Sequence, residues 1–250
     1  MTQATAIIIG ASSQLSREIA KQLSEQQVKL ALLVPSPDTI ADFAASLPGD
    51  ISVHALDIYA PDTAIAQLEQ VWQELGGAHL VLVNTGVNHY DPELPWAPQE
   101  DIIKVNVTGF AAMCNTAFNL LRSQGYGQLG AINSVAGLRG GPSMSYHASK
   151  AFAQNYLEGL SMHAQRLKLP ITITDIQLGM LDKAAMQGAK MWLAPLPVVA
   201  KQILSALAKG KRRAYVPKRW IIVAWMTRLL PEFIYNTRRW KKKQKKQQAE

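Results

Sequence analysis

Short runs of aliphatic and β-branched residues recur along the chain, and longer stretches with helical hydrophobic spacing separate them. Runs such as Ile7-Ile8-Ile9 and Val81-Leu82-Val83 are apolar at successive positions. This is typical of strands that are buried on both faces of a parallel sheet. The pattern predicts six strands, at residues 6–9, 29–34, 51–56, 80–83, 130–133 and 171–176.

The stretches between the strands have the hydrophobic periodicity of helices. We expect helices at residues 15–26, 40–46, 63–75, 99–122, 146–167 and 197–208. Strands that alternate with helices form right-handed crossovers, so the predicted fold class is α/β: a doubly wound parallel sheet with helices on both faces. We assign residues 1–208 to one domain, and residues 209–250 to a basic, amphipathic C-terminal extension that is not a domain of its own.

The composition and the charge limit the possible classes of function. Hydrophobic residues make up 48% of the 250 residues, and Cys114 is the single cysteine, which we expect to be buried rather than part of a disulfide or a metal site. The first ten residues lack the basic segment of a signal peptide, so we expect a cytoplasmic protein.

Positive charge is concentrated at the C-terminal end. Residues 209–250 contain 14 Lys or Arg and two acids, a net charge of +12, whereas residues 1–208 carry a net charge of −4. A basic tail on an acidic body argues against nucleic-acid binding by the body. It favours a local electrostatic contact, for which an anionic membrane surface is a candidate partner and a peripheral position on the inner face of the membrane a candidate location.

A glycine and two serines follow the first predicted strand, where a dinucleotide-binding fold places its phosphate loop. A tight turn there brings the N–H groups of a helix N-terminus to a pyrophosphate, and the helix dipole favours the negative charge. The candidate cofactor-binding residues are Gly10, Ser12, Ser13, Gln14 and Leu15. A helix-capping turn without a ligand is the alternative.

Tyr146 and Lys150 are four residues apart on a predicted helix and therefore share one face of it. An ammonium group near a phenol stabilises the phenolate, which lowers the tyrosine pKa from about 10 and lets the side chain donate or accept a proton. Ser134 follows the fifth predicted strand, shortly before this helix. A surface tyrosine and a solvated lysine are the alternative interpretation.

These residues resemble those of the short-chain dehydrogenase/reductase family, NAD(P)-dependent oxidoreductases with a Rossmann-type fold. The resemblance covers about residues 5–208. It implies that Tyr146 is the general acid and base, that Ser134 binds the substrate oxygen, and that Lys150 also holds the nicotinamide ribose. It further implies that Asn106 supports a water-linked proton relay.

The same resemblance adds residues to the cofactor site. Asp57 and Ile58 match the segment whose aspartate contacts the adenine, and a helix-capping carboxylate is the alternative interpretation of Asp57. In the segment after the fourth strand, an asparagine braces the sheet and a glycine lets the backbone pass close to the ribose. The matching residues are Asn84, Thr85 and Gly86, and Gly179 matches the glycine after the sixth strand.

Several residues depart from the family's pattern. They are Ile9, Gln14 and Ser16 in the phosphate loop, and Leu178 and Lys183 around Gly179. A side chain at Gln14 would narrow the approach to the pyrophosphate and resist a positive φ. At the end of the second strand, the residues Val34-Pro35-Ser36 offer no acid to repel a 2′-phosphate, and Ser36 can donate to one, so we expect NADP(H) to be favoured over NAD(H).

The segment after Gly179 forms the substrate lid in relatives, and its side chains Met180, Met186, Met191 and Trp192 favour an apolar substrate or ordinary packing.

Further on, the apolar run at residues 220–226 is far shorter than the roughly 20 residues that span a bilayer. With Trp220, Trp225 and Trp240 around it, the run predicts one of two things: a helix in the membrane interface, or a helix packed on the body or on a second subunit.

Together these features predict an oxidoreductase that transfers a hydride between NADP(H) and an apolar carbonyl or secondary alcohol. By resemblance, it would form a homodimer or a homotetramer. The alternative is a catalytically weakened protein of this fold that acts as a nucleotide sensor or as a membrane-associated scaffold.

Overall fold

The structure, a computed structural model, describes residues 3–179 and 194–235, in which seven strands form a parallel sheet. In chain order the strands are β1 (Thr5–Ile9), β2 (Lys29–Val34), β3 (Ile51–Ala55), β4 (Leu80–Val83), β5 (Gly127–Ser134), β6 (Ile171–Leu178) and β7 (Arg213–Val216). Their order across the sheet is β3-β2-β1-β4-β5-β6-β7. The first six are the strands that the hydrophobic runs predict, and the predicted fold class is confirmed.

Helices cover both faces of this sheet. They are α1 (Gln14–Ser24), α2 (Ala41–Ala45), α3 (Pro61–Leu75), α4 (Trp96–Ile103), α5 (Phe110–Gln124), α6 (Met144–Arg166), α7 (Leu196–Ala208), α8 (Trp220–Leu229) and α9 (Glu232–Tyr235). Because strand side chains alternate between faces, Ile7 and Ile9 pack in a core with residues of α3, α5 and α6. Ile8 lies in the opposite core, with residues of α1 and α7. This double burial explains the uninterrupted apolar runs.

The helix predicted at residues 99–122 is divided. A π-helical turn at Lys104–Gly109 separates α4 from α5, and it places Asn106 in the interior. Gly109 permits the turn to pack closely, since a Cβ atom there would lie 2.7 Å from the carbonyl oxygen of Ile58. Turns of this kind often mark functional sites in helices.

The strand β7 was not predicted, and it lies within the segment that the sequence assigns to the C-terminal extension. It pairs with β6, and its alternate residues Ala214 and Val216 are buried. The C-terminal segment therefore contributes to the sheet before α8 begins. In the described part of the chain, no helix is both long enough and apolar enough to span a bilayer.

Candidate active site

Most of the predicted site residues lie at or next to the carboxyl ends of the strands β1 to β6. The strand order reverses between β1 and β4, because β2 and β3 lie to one side of β1 and β5 to β7 lie beyond β4. In open parallel sheets, the crevice at such a switch point is where ligands bind. The loops that follow β1, β4 and β5 all open toward it.

The loop after β1 makes a close turn at Gly10, whose φ is +82°. A Cβ atom at Gly10 would collide with the carbonyl oxygen of Asn84, so only glycine fits between these two loops. Ser12 is exposed, and Ser13 caps α1 by accepting a hydrogen bond from the N–H of Ser16 at 3.1 Å. The turn thus presents the N-terminus of an 11-residue helix to the crevice.

Two neighbouring residues of this loop differ in their environment. Gln14 is exposed and is the first residue of α1, so its backbone is helical and the expected conflict with a positive φ does not arise. The side chain of Leu15 is buried in the core beside α7, which leaves its backbone as the part that can face a ligand.

Ser36 lies after β2 and is exposed at the start of a 3-10 turn, Pro37–Ile40. Arg17 on α1, for which the sequence pattern predicts no role, extends to this turn and donates to the carbonyl oxygen of Thr39 at 3.2 Å. Its guanidinium carbon lies 5.5 Å from the centre of the Phe43 ring, and its Nε is buried without a partner among the described residues. A cation therefore stands beside the loop that follows β2.

The loop after β3 contains Asp57 and Ile58. Asp57 is exposed, and its carboxylate accepts a hydrogen bond from the N–H of Tyr59 at 3.0 Å. It does not cap α3, because the N-cap of that helix is Ala60. Ile58 is buried against Gly109, which fixes this loop to the π-helical turn.

Asn84, Thr85 and Gly86 follow β4 and face the crevice from its middle. Asn84 donates to the hydroxyls of Ser13 and Ser16, and the Thr85 hydroxyl is buried without a partner among the described residues. A Cβ atom at Gly86 would lie only 3.1 Å from Lys150 Nζ. The glycine therefore leaves open the space in front of the lysine.

The amide of Asn106 fixes the backbone next to Gly86. Its oxygen accepts from the N–H of Val87 at 2.8 Å, and its nitrogen donates to the carbonyl of Val87 at 2.9 Å and to the hydroxyl of Ser149 at 3.1 Å. The side chain is thus engaged on both ends and links the β4 loop to α6.

Ser134 and Tyr146 meet at the carboxyl end of β5. The Ser134 hydroxyl lies close enough to the phenol of Tyr146 to lower its pKa, and it accepts a hydrogen bond from the N–H of Ala136 at 3.1 Å. Gly137 allows the turn after Ser134 to pack directly on α6, since a Cβ atom there would lie 2.5 Å from the carbonyl carbon of Lys150. This backbone contact sets the position of Ser134 relative to Tyr146 and Lys150.

The electrostatics of the pair differ from the expectation that Lys150 lowers the tyrosine pKa. Burial raises the pKa of Tyr146 above 10, and the hydrogen bond with Ser134 partly opposes this rise. Lys150 Nζ lies over the ring of Tyr146, 5.6 Å from its centre. Burial also lowers the pKa of Lys150 to about 8, although the negative charge of Asp175 opposes this change.

Asp175 lies on β6, completely buried. Its carboxylate accepts hydrogen bonds from Gln177 at 2.7 Å, from Arg213 at 3.1 Å and from Asn133 at 3.3 Å. The sequence pattern does not indicate a role for Asp175, because its partners lie on three different strands. Asp175 thus supplies the buried negative charge that acts on Lys150.

Gly179 follows β6 and lies at the edge of the crevice. Its N–H donates to the carbonyl of Val216 at 2.9 Å, and a Cβ atom there would collide with the indole ring of Trp220. The C-terminal segment therefore packs against the site. Met180, Lys183, Met186, Met191, Trp192 and Trp240 lie outside the described residues.

The chain is similar in sequence to known proteins. A family model described as short chain dehydrogenase matches residues 4–192. An uncharacterized oxidoreductase of Myxococcus xanthus is 30% identical over 178 residues, which cover 69% of this chain and 70% of the relative. An uncharacterized oxidoreductase of Mycobacterium tuberculosis is 27% identical over 242 residues, which cover 92% of this chain and 94% of the relative.

A solved structure supports the same fold. ElxO with NADP bound superimposes with a TM-score of 0.76 at 15% sequence identity, and the match covers 86% of this chain and 97% of ElxO. At this identity the likeness concerns the fold.

Proposed function

This protein belongs to the short-chain dehydrogenase family, and on that premise we propose that it transfers a hydride between NADP(H) and an apolar carbonyl or secondary alcohol. That it is an oxidoreductase follows from the family. The observation that supports the finer proposal is the convergence of Ser134, Tyr146 and Lys150 at the crevice between β1 and β4.

The chain's own residues handle the proton and the substrate oxygen. A bound nicotinamide cofactor supplies the hydride. Ser134 holds the carbonyl oxygen of the substrate, and Tyr146 donates a proton to that oxygen in reduction or accepts one in oxidation. Since burial keeps the pKa of Tyr146 high, the side chain is protonated at neutral pH, which favours reduction.

The residues around the crevice fit a dinucleotide. The N-terminus of α1, with Gly10, Ser12 and Ser13, would hold the pyrophosphate, and the backbone of Gln14 and Leu15 continues this surface. Gly86 leaves space in front of Lys150, which would hold the nicotinamide ribose. Thr85 precedes Gly86, and its hydroxyl has no partner among the described residues. The remaining proposed cofactor contacts are Asp57, Ile58, Asn84 and Gly179.

Arg17 and Ser36 support the preference for NADP(H). A 2′-phosphate needs a cation and hydrogen-bond donors beside the loop after β2, and Arg17 places a guanidinium there. No acidic side chain occurs at residues 34–36 to repel the phosphate. ElxO, which shares the fold, has NADP bound.

Asn106 is assigned to the proton relay as a prediction. Its amide contacts Val87 and Ser149, so its position next to Lys150 is fixed from both sides of the crevice.

Met144, exposed two residues before Tyr146, supports an apolar substrate. We further propose that the protein is a cytoplasmic homodimer or homotetramer.

A nucleotide sensor or scaffold without efficient turnover is the second candidate function. The exposed side chain of Gln14 at the start of α1, in place of a glycine, favours it because that side chain stands at the approach to the pyrophosphate site.

Nucleotide titration and turnover together test the proposal. NADPH and NADH are titrated by fluorescence against the full chain, and turnover is measured on a panel of apolar ketones, aldehydes and secondary alcohols. Tyr146→Phe should lower turnover by roughly 10²–10⁴-fold with little change in NADPH affinity. Tyr156→Phe, on the same helix, is the matched control and should retain activity.

The outcomes separate the candidates. Arg17→Gln should weaken the binding of NADPH by about tenfold or more, as expected for the loss of a hydrogen bond to a charged group. The affinity for NADH should stay unchanged. Tight NADPH binding without turnover on any substrate would favour the sensor. Equal turnover of wild type and Tyr146→Phe would contradict the role of the tyrosine.

A further inference from the structure

The helices α8 and α9 expose a row of large hydrophobic side chains. We call it the apolar face: Ile221, Ile222, Trp225, Met226, Leu229 and Phe233. Trp225 is 61% exposed and Phe233 is 78% exposed. The five members on α8 follow helical spacing, so they share one side of that helix. Contiguous exposed apolar surface of this kind usually marks an interaction site.

The apolar face belongs to a segment that is anchored on the body. Trp220 and Ala224, on the other side of α8, are buried, and the indole of Trp220 packs on Gly179. Arg139 donates to the carbonyl of Leu230 at 2.7 Å, and its guanidinium lies 4.6 Å from the centre of the Tyr235 ring. A helix that needed only this inner contact would carry polar residues outside, so the apolar face requires a partner of its own.

A basic cleft adjoins the apolar face. It lies between α7 and β7, and three exposed lysines line it: Lys209, Lys211 and Lys218. In the described part of the chain, no carboxylate lies within 4 Å of these three ammonium groups. Gln202, in the same cleft, has a buried side-chain oxygen without a partner among the described residues. Ile221 lines the cleft as well, so the basic and apolar surfaces are continuous.

We propose that the apolar face and the basic cleft dock together on an anionic lipid bilayer. Exposed apolar side chains, with a tryptophan among them, suit the headgroup region and the outer acyl chains, and lysines beside them suit anionic headgroups. Arg228 on α8 adds a further exposed cation. The proposal goes beyond the oxidoreductase function and does not depend on it.

The charge of the sequence favours a bilayer over a second copy of the chain. Residues 236–250, which follow α9 directly, contain seven Lys or Arg and one acid. A symmetric contact between two apolar faces would bring two such segments and two basic cleft regions together, and like charges repel. An anionic bilayer instead neutralises both the cleft and this segment.

The docking surface also adjoins the candidate active site. Arg139 and Gly140, which contact Leu230 and Tyr235, follow Ser134 by only a few residues. A bilayer on the apolar face would therefore lie near the crevice.

Vesicle flotation with the full chain tests the proposal. The probes are vesicles of pure phosphatidylcholine and vesicles that also contain phosphatidylglycerol, at about 0.1 M salt, where the screening length is about 10 Å. We expect binding to the anionic vesicles, weak binding to the neutral ones, and loss of binding at high salt. Point variants are preferable to a truncation, because removal of residues 209–250 would delete β7.

Two sets of variants separate the apolar from the basic contribution. Trp225→Ser with Phe233→Ser, and separately Lys209→Gln with Lys211→Gln and Lys218→Gln, should each weaken binding about tenfold or more. Trp96→Ser controls for an exposed tryptophan, since Trp96 is 67% exposed on α4. Lys21→Gln with Lys168→Gln and Lys201→Gln controls for the change of net charge. Both control sets should bind vesicles like the wild type.

Each remaining outcome overturns the proposal. These outcomes are no binding to anionic vesicles, equal binding to neutral vesicles, or an equal loss in the control variants. If the Trp225 and Phe233 substitutions lower the molar mass in light scattering and leave vesicle binding unchanged, a second copy covers the apolar face. Thermal unfolding and NADPH affinity are measured on every variant and show whether that variant is folded. They also separate a failure of docking from a failure of the oxidoreductase proposal.

Discussion

Asn84 donates a hydrogen bond from its side-chain amide to the hydroxyl of Ser16 at 2.7 Å, and this bond joins the loop after β4 to the first turn of α1. The same amide donates to Ser13, the N-cap of α1, at 2.9 Å. Ser16 stands where the family has a glycine, and it is completely buried. Its hydroxyl has a partner, so this departure from the family's pattern is accommodated by the fold.

We expect Ser16→Ala to lower the free energy of unfolding by about 1 kcal/mol or somewhat more, because the hydrogen bond is lost and the Asn84 amide keeps only its weaker contact. In a double-mutant cycle with Asn84→Ala, the two substitutions should couple by roughly 0.5–1.5 kcal/mol, measured by chemical denaturation.

Ser24→Ala is the matched control for this cycle. Ser24 is also buried on α1, but its hydroxyl donates to the carbonyl of Lys21, far from Asn84. Its effect should add to that of Asn84→Ala without coupling. If Ser16→Ala and Asn84→Ala are additive as well, the bond between them does not stabilise the loop.

The close packing of Gly137 on α6 leads to a second prediction. A Cβ atom at this position would lie 2.5 Å from the carbonyl carbon and 2.6 Å from the carbonyl oxygen of Lys150. Gly137→Ala should therefore displace the turn that carries Ser134 and cost about 1–3 kcal/mol of stability. Turnover should fall by roughly tenfold to a hundredfold, since a displacement of about 1 Å in an active site has effects of that size.

Gly140→Ala provides the comparison, because nothing lies within 4 Å of a Cβ atom at that position. Turnover and thermal stability of this variant should stay near the wild-type values. Equal losses in both variants would mean that loop flexibility, and not the contact with Lys150, decides the result.

Most of the sheet could be predicted from the sequence, and the reasons are local. The strands β2 and β4 match their predicted bounds because both of their faces are buried, and Cys114 is buried as expected. Burial also raises the pKa of its thiol. The strand β7 was missed because it has four residues, of which Arg213 and Tyr215 alternate with small and aliphatic ones.

Features that depend on distant partners could not be predicted. The hydrophobic periodicity continues through the π-helical turn and does not reveal it. The hydrogen bonds that Asn106 makes in this turn go to Val87, which is 19 positions away. Arg17 acquires its place beside Thr39 only through the packing of α1 on the β2 loop. In the sequence, Ser16 is only a departure from the family's glycine, because its hydrogen-bond partner Asn84 is 68 positions away.

The buried ammonium group of Lys150 leads to the third prediction, which links stability to pH. Burial lowers its pKa from 10.5 to about 8. At neutral pH the lysine is charged in both the folded and the unfolded chain, so the folded chain bears the full cost of the buried charge. Between about pH 8 and pH 10.5 the unfolded chain holds more protons than the folded one, so stability with respect to this group rises with pH.

We therefore expect Lys150→Met to be inactive and yet more stable than the wild type at pH 7, by up to about 3 kcal/mol, the free energy that corresponds to the lowered pKa at 1.36 kcal/mol per tenfold change. This advantage should shrink as the pH rises from about 8 to 10, because the wild-type lysine then becomes neutral. Chemical denaturation of both proteins across that range measures the difference. Lys29→Met, at a half-buried lysine paired with Asp50, is the control and should show no such gain. If the stability gain of Lys150→Met stays constant from pH 7 to pH 10, the gain does not come from removing a buried charge at Lys150.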